Sequence, residues 1–545
     1  MKTRSVAALL FACTAFAQIR PPVPPRLAPG FETIQESTLR ADLTFLASDA
    51  LQGRLSLQPG DSVAIEWVAS EFAKAGLKPG LPGSFLQPVN LIEYRGVRAR
   101  SYIALRRAGT DKQWTFPDAY GSYVSDVDIT APVAFAGFGI TAPELKYDDY
   151  QGIDVRGKIV LIFDHEPQET SATSVFNGTG NTRYATSRVK VLNAQAHGAV
   201  AVLIVAEPNR RHPSNQERAA RIGGSVTRAV PLPSQALADD SLQTPSATIS
   251  DAVALELMAA AGATPADLQT LIDRDLKPQA RALPDTTVTL HFRNQSETTG
   301  TTYNVVGLLE GSDPALKAET ILISAHHDHD GMGGNEIWHG ADDNGSGTVG
   351  VVALAHAFAA NARAANGIKP KRSILFVVFA SEERGLLGAF HMAAHPLRPL
   401  ETTRAIVNFD MIGRNEEESE QTKGLLSIPA DTTNRLNLIG ALYSPAYQHT
   451  VEQNNKYIGL DLDDRFDHEA ALNVFFRSDQ FPFVLHNIPA FWWFTGFHPD
   501  YHHTTDTADR INYVKMARIV RLAYLTAADF AADTPAPKFV ESPKP

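Results

Sequence analysis

The chain has 545 residues, 44% of them hydrophobic and 20% charged, which is a globular composition long enough for two or three domains. Its formal net charge of −11 argues against nucleic acid as the main partner. Beyond the N-terminus no apolar run reaches the length needed to span a bilayer.

The first residues, Met1-Lys-Thr-Arg4, precede a small and apolar run from Ser5 to Phe16 that closes on Ala15-Phe16-Ala17. That is the pattern of a signal peptide, residues 1–17, cleaved after Ala17, and it implies a secreted or periplasmic protein. A rival reading makes Leu10-Phe-Ala-Cys13 a lipoprotein site, although Phe11 and the short apolar core fit that poorly. Cys13 is the only cysteine, so the mature chain would rely on core burial and bound metal rather than disulfides. Pro21 to Pro25 reads as an extended leader.

Two helical patterns follow. Glu36 to Ala50 places Leu39, Leu43 and Leu46 on one side, and Asp61 to Ala75 places Val63, Ile65, Trp67, Val68 and Phe72 inward before Gly76 ends it. Residues 85–120 read as strands, Tyr102–Leu105 most clearly. From about residue 119 the texture becomes β-rich, with strands at Val133–Ile140, Lys158–Phe163 and Val200–Val205. Helices fall at Ser187–His197 and Ala252–Ala261. His165, His197 and His212 are scattered through this stretch and read as structural or solvated. From Pro284 strands alternate with helices. The strands are Thr286–Phe292, Tyr303–Leu309, Thr320–Ser324, Ser373–Phe379, Thr403–Phe409 and Ile488–Phe494. Helices follow Gly347 and span Gly385–Ala394 and Ile511–Ala532. This order predicts an α/β fold, a mixed and mostly parallel sheet with helices on both faces. Thr534–Pro545 reads as a tail.

Ser324 to Gly347 crowds four histidines and paired aspartates between a strand and a helix, where α/β sheets bind ligands. Later strands end on Glu382-Glu383, on Asp410 and on Tyr501-His-His-Thr-Thr-Asp506. Carboxylates packed together repel and raise one another's pKa, so an acidic cluster interleaved with imidazole is best held together by divalent cations. Two imidazoles and three carboxylates, one of them shared, would serve two ions.

These motifs resemble peptidase family M28, the zinc aminopeptidases. The matching stretches are Ser-Ala-His326-His-Asp328, Gly-Ala-Asp342-Asp343-Asn-Gly-Ser-Gly, Ala-Ser-Glu382-Glu383-Arg-Gly, Asn-Phe-Asp410-Met and Tyr-His502-His-Thr-Thr-Asp506, in family order over about 285–510. Leu51-Gln-Gly-Arg54 fits the family's N-terminal segment. The β-rich stretch resembles the protease-associated (PA) domain often inserted in this family, through Gly137-Phe-Gly-Ile140 and Tyr147-Asp-Asp-Tyr150.

The resemblance implies a discontinuous peptidase domain, 18–118 plus 284–533, a PA insertion at 119–283 and a tail at 534–545. It implies two zinc ions, with Asp342 bridging, His326 and Asp410 completing one centre, and Glu383 and His502 the other. Glu382 would be the general base and Asp328 would accept from the free N–H of His326. His503 remains the alternative to His502, and a cis peptide is expected at Asp342–Asp343. His327 and His329 read as packing or rim, and Phe491, Trp492 and Trp493 as core. The expected substrates are peptides. A carboxypeptidase, dipeptidase or glutaminyl cyclase on the same fold stays open, with Arg384, Arg414 and Arg477 as possible carboxylate binders. A non-catalytic ectodomain is a third reading, against which every motif position is filled.

Overall fold

The computed structural model describes residues 20–214, 217, 220, 228, 231–469 and 471–540. The signal-like segment, with Cys13, lies outside the described residues.

A ten-stranded mixed sheet organises the molecule. Its centre is four parallel strands in the order Ser373–Phe379, Thr320–His326, Thr403–Phe409 and Ala490–Phe494. Every residue of the first two is buried. Strands shielded on both faces read in sequence as unbroken apolar runs, as these do. Antiparallel strands extend the sheet on both sides.

Helices Pro59–Ala75, Gly347–Arg363 and Tyr513–Phe530 bury one face in a large apolar core. The first begins with Pro59 in its first turn and ends at Gly76, whose φ of 79° closes the helix in the left-handed region. Helix Leu387–Ala394 covers the other face with Phe475, Phe481 and Phe483. The class read from the sequence, a mixed α/β sheet between helices with a separate β-rich sheet, matches this architecture.

The second sheet has eight strands, in the order Thr110–Trp114, Tyr102–Arg107, Arg281–Phe292, Val127–Phe135, Ile159–Phe163, Ala201–Val205, Ser246–Ile249 and Ala119–Tyr120. Its own core includes Ile103, Phe135, Leu161, Phe163 and Leu290. Residues 102–118 and 284–292 are expected in the peptidase domain, yet strands Tyr102–Arg107 and Arg281–Phe292 pair here. Conversely, Ser234–Leu237, inside the expected insertion, joins the first sheet through Leu86–Gly96. Alternation reveals a strand but not its partner.

The strand expected over Val133–Ile140 stops at Phe135. Gly137 and Gly139 then turn with φ of 51° and 72°. The buried Asp149 carboxylate collects the turn's Phe138 and Ile140 N–H groups and the Tyr147 hydroxyl. The tail also differs from expectation. Phe539 stacks on Tyr443 at 5.6 Å and Val540 N donates to the Tyr443 carbonyl at 2.8 Å.

Candidate metal centre

The four parallel strands end on one edge, and each leads into a donor. His326 closes its strand, Glu382 and Glu383 follow Phe379, and Asp410 follows Phe409. The strand ending at Phe494 leads on to His498 and His502. Gly340 to Ser346 crosses this edge before helix Gly347–Arg363.

Two groups of donors share one carboxylate. His326 Nε2 lies 3.6 Å from Asp410 Oδ1, 3.6 Å from Asp343 Oδ1 and 3.7 Å from Glu382 Oε2. On the other side, His502 Nε2 lies 3.1 Å from Asp343 Oδ2 and 3.2 Å from Glu383 Oε2. Asp343 thus turns one oxygen to each imidazole. Both imidazole Nε2 atoms are buried and neither makes a hydrogen bond.

Asp343, not Asp342, therefore stands at the junction. Asp342 is pinned elsewhere: its Oδ1 accepts from Gly413 N at 2.6 Å and its Oδ2 lies 3.3 Å from His498 Nε2. The Asp506 carboxylate accepts from the backbone N–H of both aspartates, at 3.0–3.1 Å, and sets the turn that presents the second. The cis peptide likewise falls one residue later than expected, at Asp343–Asn344.

His502 is the imidazole at the centre. His503 points its Nδ1 at the Tyr501 carbonyl, 2.7 Å away. Asp328 also departs from its expected contact. The carbonyl oxygen of Asp328, at 3.2 Å, is the nearer acceptor for His326 Nδ1, while its carboxylate is 3.7 Å away. That carboxylate instead accepts the backbone N–H groups of Glu382 and Glu383, at 3.0 and 3.3 Å, and so fixes the turn carrying both acids.

Three further neighbours were not expected to act at the site. His329, read as rim or packing, donates from Nδ1 to Glu383 Oε1 at 2.6 Å. Asp330 Oδ2 lies 3.2 Å from His502 Nδ1, and Arg384 and Arg228 grip the same carboxylate at 2.5 and 3.0 Å. Arg54 is fully buried and donates to the carbonyls of Leu46, His327, His339 and Gly340. The alternation Asp328-His329-Asp330 was the available signal for the first two. His327 packs as expected, between Asp61 and the Tyr303 carbonyl.

The aromatic strand is core, with Phe491 and Trp493 fully buried. Trp492 Nε1 donates to the Asp410 carbonyl at 2.8 Å and so helps hold that acid. Gln480 is buried and bonds Asn408 and the Phe475 carbonyl. Beside it, Ser478 donates to Asp410 Oδ2 at 2.6 Å, and both carboxylate oxygens of the buried Asp479 lack a partner.

Electrostatics express the crowding. Burial, with Asp410, Glu383 and Asp479 nearby, pushes Glu382 well above the usual carboxylate range despite the pull of His326. Burial and Glu383 push Asp343 up to about 6. Burial also works to raise Glu383, but His502 and His329 outweigh it and bring the acid down to about 2. Burial opposes charge on His326 and His502, yet the surrounding carboxylates hold both imidazoles well above their ordinary value. Protons are being retained where positive charge is needed. Two bare imidazole nitrogens facing both oxygens of one carboxylate fit divalent metal by chemistry and by placement.

Fold and donor set together define a metal-site α/β protein. Residues 304–527 match the model of peptidase family M28, and residues 129–257 match that of the PA domain. Residues 304–527 are thus a peptidase family M28 region and residues 129–257 a PA domain. Leucine aminopeptidase 2 of Arthroderma otae is 27% identical over 263 residues, covering 44% of this chain and 47% of that protein. Aminopeptidase YwaD of Bacillus subtilis is 30% identical over 132 residues, covering 24% of this chain and 25% of that protein. The chain spans less than half the length of the curated relatives it matches. Among solved structures, an aminopeptidase from Aneurinibacillus sp. strain AM-1 has the same fold, at 17% identity and a TM-score of 0.50, with 95% of this chain and 97% of that one covered.

Proposed function

We propose that the chain is an exported di-zinc aminopeptidase that removes N-terminal residues from peptides. The observation that carries this reading is Asp343, whose two oxygens face the bare Nε2 atoms of His326 and His502. His326, Asp410 and Asp343 would hold one ion, and Glu383, His502 and Asp343 the other. When bound, such a pair polarises the scissile carbonyl and lowers the pKa of water at neutral pH.

The chain's own residues supply the rest. Glu382 lies on the same edge, with its Oε2 near His326, and is the acid placed to act on the attacking water. It takes the water's proton and passes it to the leaving amine, so one carboxyl serves as base and then as acid. Asp328 holds the backbone under Glu382, and His329 orients Glu383. The abundance of carboxylates favours a substrate that brings a positive α-amine.

Of the arginines that kept a carboxypeptidase open, Arg384 is paired with Asp330 and Arg414 with Asp500 at 2.8 Å. A carboxylate neutralises each of these charges, while Arg477, over the Phe497 ring at 5.4 Å, keeps the carboxypeptidase alternative open. Export rests on the N-terminal pattern of residues 1–17. The inserted region, expected over 119–283, is proposed to run from about Tyr102 to Phe292, because strands Tyr102–Arg107 and Arg281–Phe292 pair in the second sheet.

The test compares hydrolysis of a free aminoacyl anilide with its N-acetylated form, before and after chelation and after zinc is restored. Hydrolysis of the free form alone, lost with the metal and regained with zinc, is expected. Equal turnover of the blocked form, or activity indifferent to complete metal removal, contradicts the reading. Glu382→Gln is expected to keep both ions and lose about 10²-fold or more in kcat. Loss of metal in that variant would reverse the roles of Glu382 and Glu383.

A further inference from the structure

A second convergence of imidazoles and carboxylates lies wholly within the PA region. Strands Ile159–Phe163 and Ala201–Val205 are parallel neighbours, with Phe163 opposite Val205. Two residues beyond these ends stand His165 and Glu207. Equal offsets from register-paired residues carry both to the same carboxyl edge, the edge at which open α/β sheets receive ligands. Glu169 and His212 come from the loops that follow. One donor atom from each of the four lies within 4.8 Å of the other three.

The group is built rather than incidental. His165 and Glu207 are each 2% exposed and Glu169 is 8% exposed. His165 Nδ1 is 2.5 Å from Glu169 Oε1, and His212 Nε2 is 2.7 Å from Glu169 Oε2 and 3.1 Å from Glu207 Oε1. The two imidazole rings stack at 4.5 Å. His212 Nδ1 lies 2.9 Å from the Pro213 carbonyl, which can only accept, so Nδ1 carries its hydrogen. In the neutral ring Nε2 then turns a lone pair toward two carboxylates. Such an arrangement requires a positive particle, either a proton or a metal ion.

Glu207 decides between them. Its Oε1 is buried and makes no hydrogen bond, although His212 Nε2 is close. One proton on Nε2 is directed along a single line and serves Glu169. It leaves the Glu207 oxygen unserved, whereas a cation among the donors serves all of them at once. Lys190 is no substitute, because its ammonium is committed to the carbonyls of Phe163 and His165.

We propose that His165, Glu169, Glu207 and His212 bind one divalent transition-metal ion of the zinc class. Imidazole nitrogens select such ions over calcium or magnesium, which prefer all-oxygen shells. Four protein donors complete a tetrahedral shell with no open position, so the site is structural and separate from the Asp343 centre. It also has a mechanical setting. The adjacent Glu166 receives Thr182 N and Oγ1, and Asn181 meets Tyr443 and Asn473 on the peptidase side. An ion here braces the loops by which the two regions touch.

The test uses the full-length chain with His326→Ala, Asp343→Asn and His502→Ala, so that the Asp343 centre no longer binds metal. After chelation, this protein is titrated with cobalt chloride and then zinc chloride. About one equivalent of cobalt is expected, with tetrahedral visible absorption that zinc displaces. Adding His212→Gln abolishes that binding, and Glu207→Gln weakens it about tenfold or more. Should the triple variant fail to fold, metal content of the native chain is compared with that of His212→Gln alone, where a loss of one ion per chain is expected. A folded triple variant that binds no cobalt, or binding or native metal content indifferent to His212→Gln, overturns the proposal.

Discussion

Asp343 and Asp342 are neighbours of identical chemistry, and only their surroundings separate them. Asp342 gives one oxygen to Gly413 N and has the other 3.3 Å from His498 Nε2, whereas Asp343 faces two bare imidazole nitrogens. Asp342→Asn keeps an oxygen for Gly413 N and removes no proposed metal donor. It is expected to lower metal affinity within the ~10–100-fold range of an outer contact. Asp343→Asn removes half a charge from each proposed ion and is expected to cost more in both zinc content and kcat/KM. Metal analysis of the two variants side by side checks this order, and the reverse order would restore Asp342 as the bridge. Resemblance located two aspartates, but the choice between them depends on which one Asp506 and Gly413 hold back. Both of those lie far away in the chain. His502 over His503 was recoverable, because its spacing to Asp506 is local.

At the scale of elements, the parallel strands were the most legible part. Ser373–Phe379 and Thr403–Phe409 match the sequence reading at both ends; the first is buried throughout and apolar from Ile374 to Phe379, and the second keeps an apolar Ala405–Val407 stretch between Arg404 and Asn408. Partnership was not legible. Arg281–Phe292 alternates as an edge of either sheet would, and only the packing of Val288 and Leu290 into the second core assigns it. The metal-bearing loop also depends on an element distant in sequence. Arg54 ties the carbonyls of Leu46, His327, His339 and Gly340 together at the end of a short 3-10 turn. Burial lowers its pKa to about 10, so it stays charged at neutral pH, with Asp328 and Asp506 opposing the shift. Arg54→Ala leaves four carbonyls without that donor and is expected to cost about 3 kcal/mol or more of stability. Denaturant unfolding with metal present measures this. A change below about 0.5 kcal/mol would show that water replaces the guanidinium.

At the scale of the molecule, the PA region is joined to the peptidase sheet rather than appended to it. Ser234–Leu237 forms an edge of that sheet, and Arg228 reaches Asp330, which in turn faces His502. Arg228 also lies over the Trp338 ring at 3.7 Å. Arg228→Ala is expected to lower kcat several-fold with the fold intact, because Asp330 would lose one of its two guanidinium partners. Unchanged kcat would confine Arg228 to packing. Removing residues 119–283 outright would delete a strand of the peptidase sheet. The central claim is narrower, that two ions sit astride Asp343. Anomalous scattering at the zinc edge from crystals of the full chain tests it most directly. The account predicts two peaks about 3.5–4 Å apart, one between His326 and Asp410 and one between Glu383 and His502, each within bonding distance of a different Asp343 oxygen. A single peak there, or a pair bridged by Asp342, would contradict it.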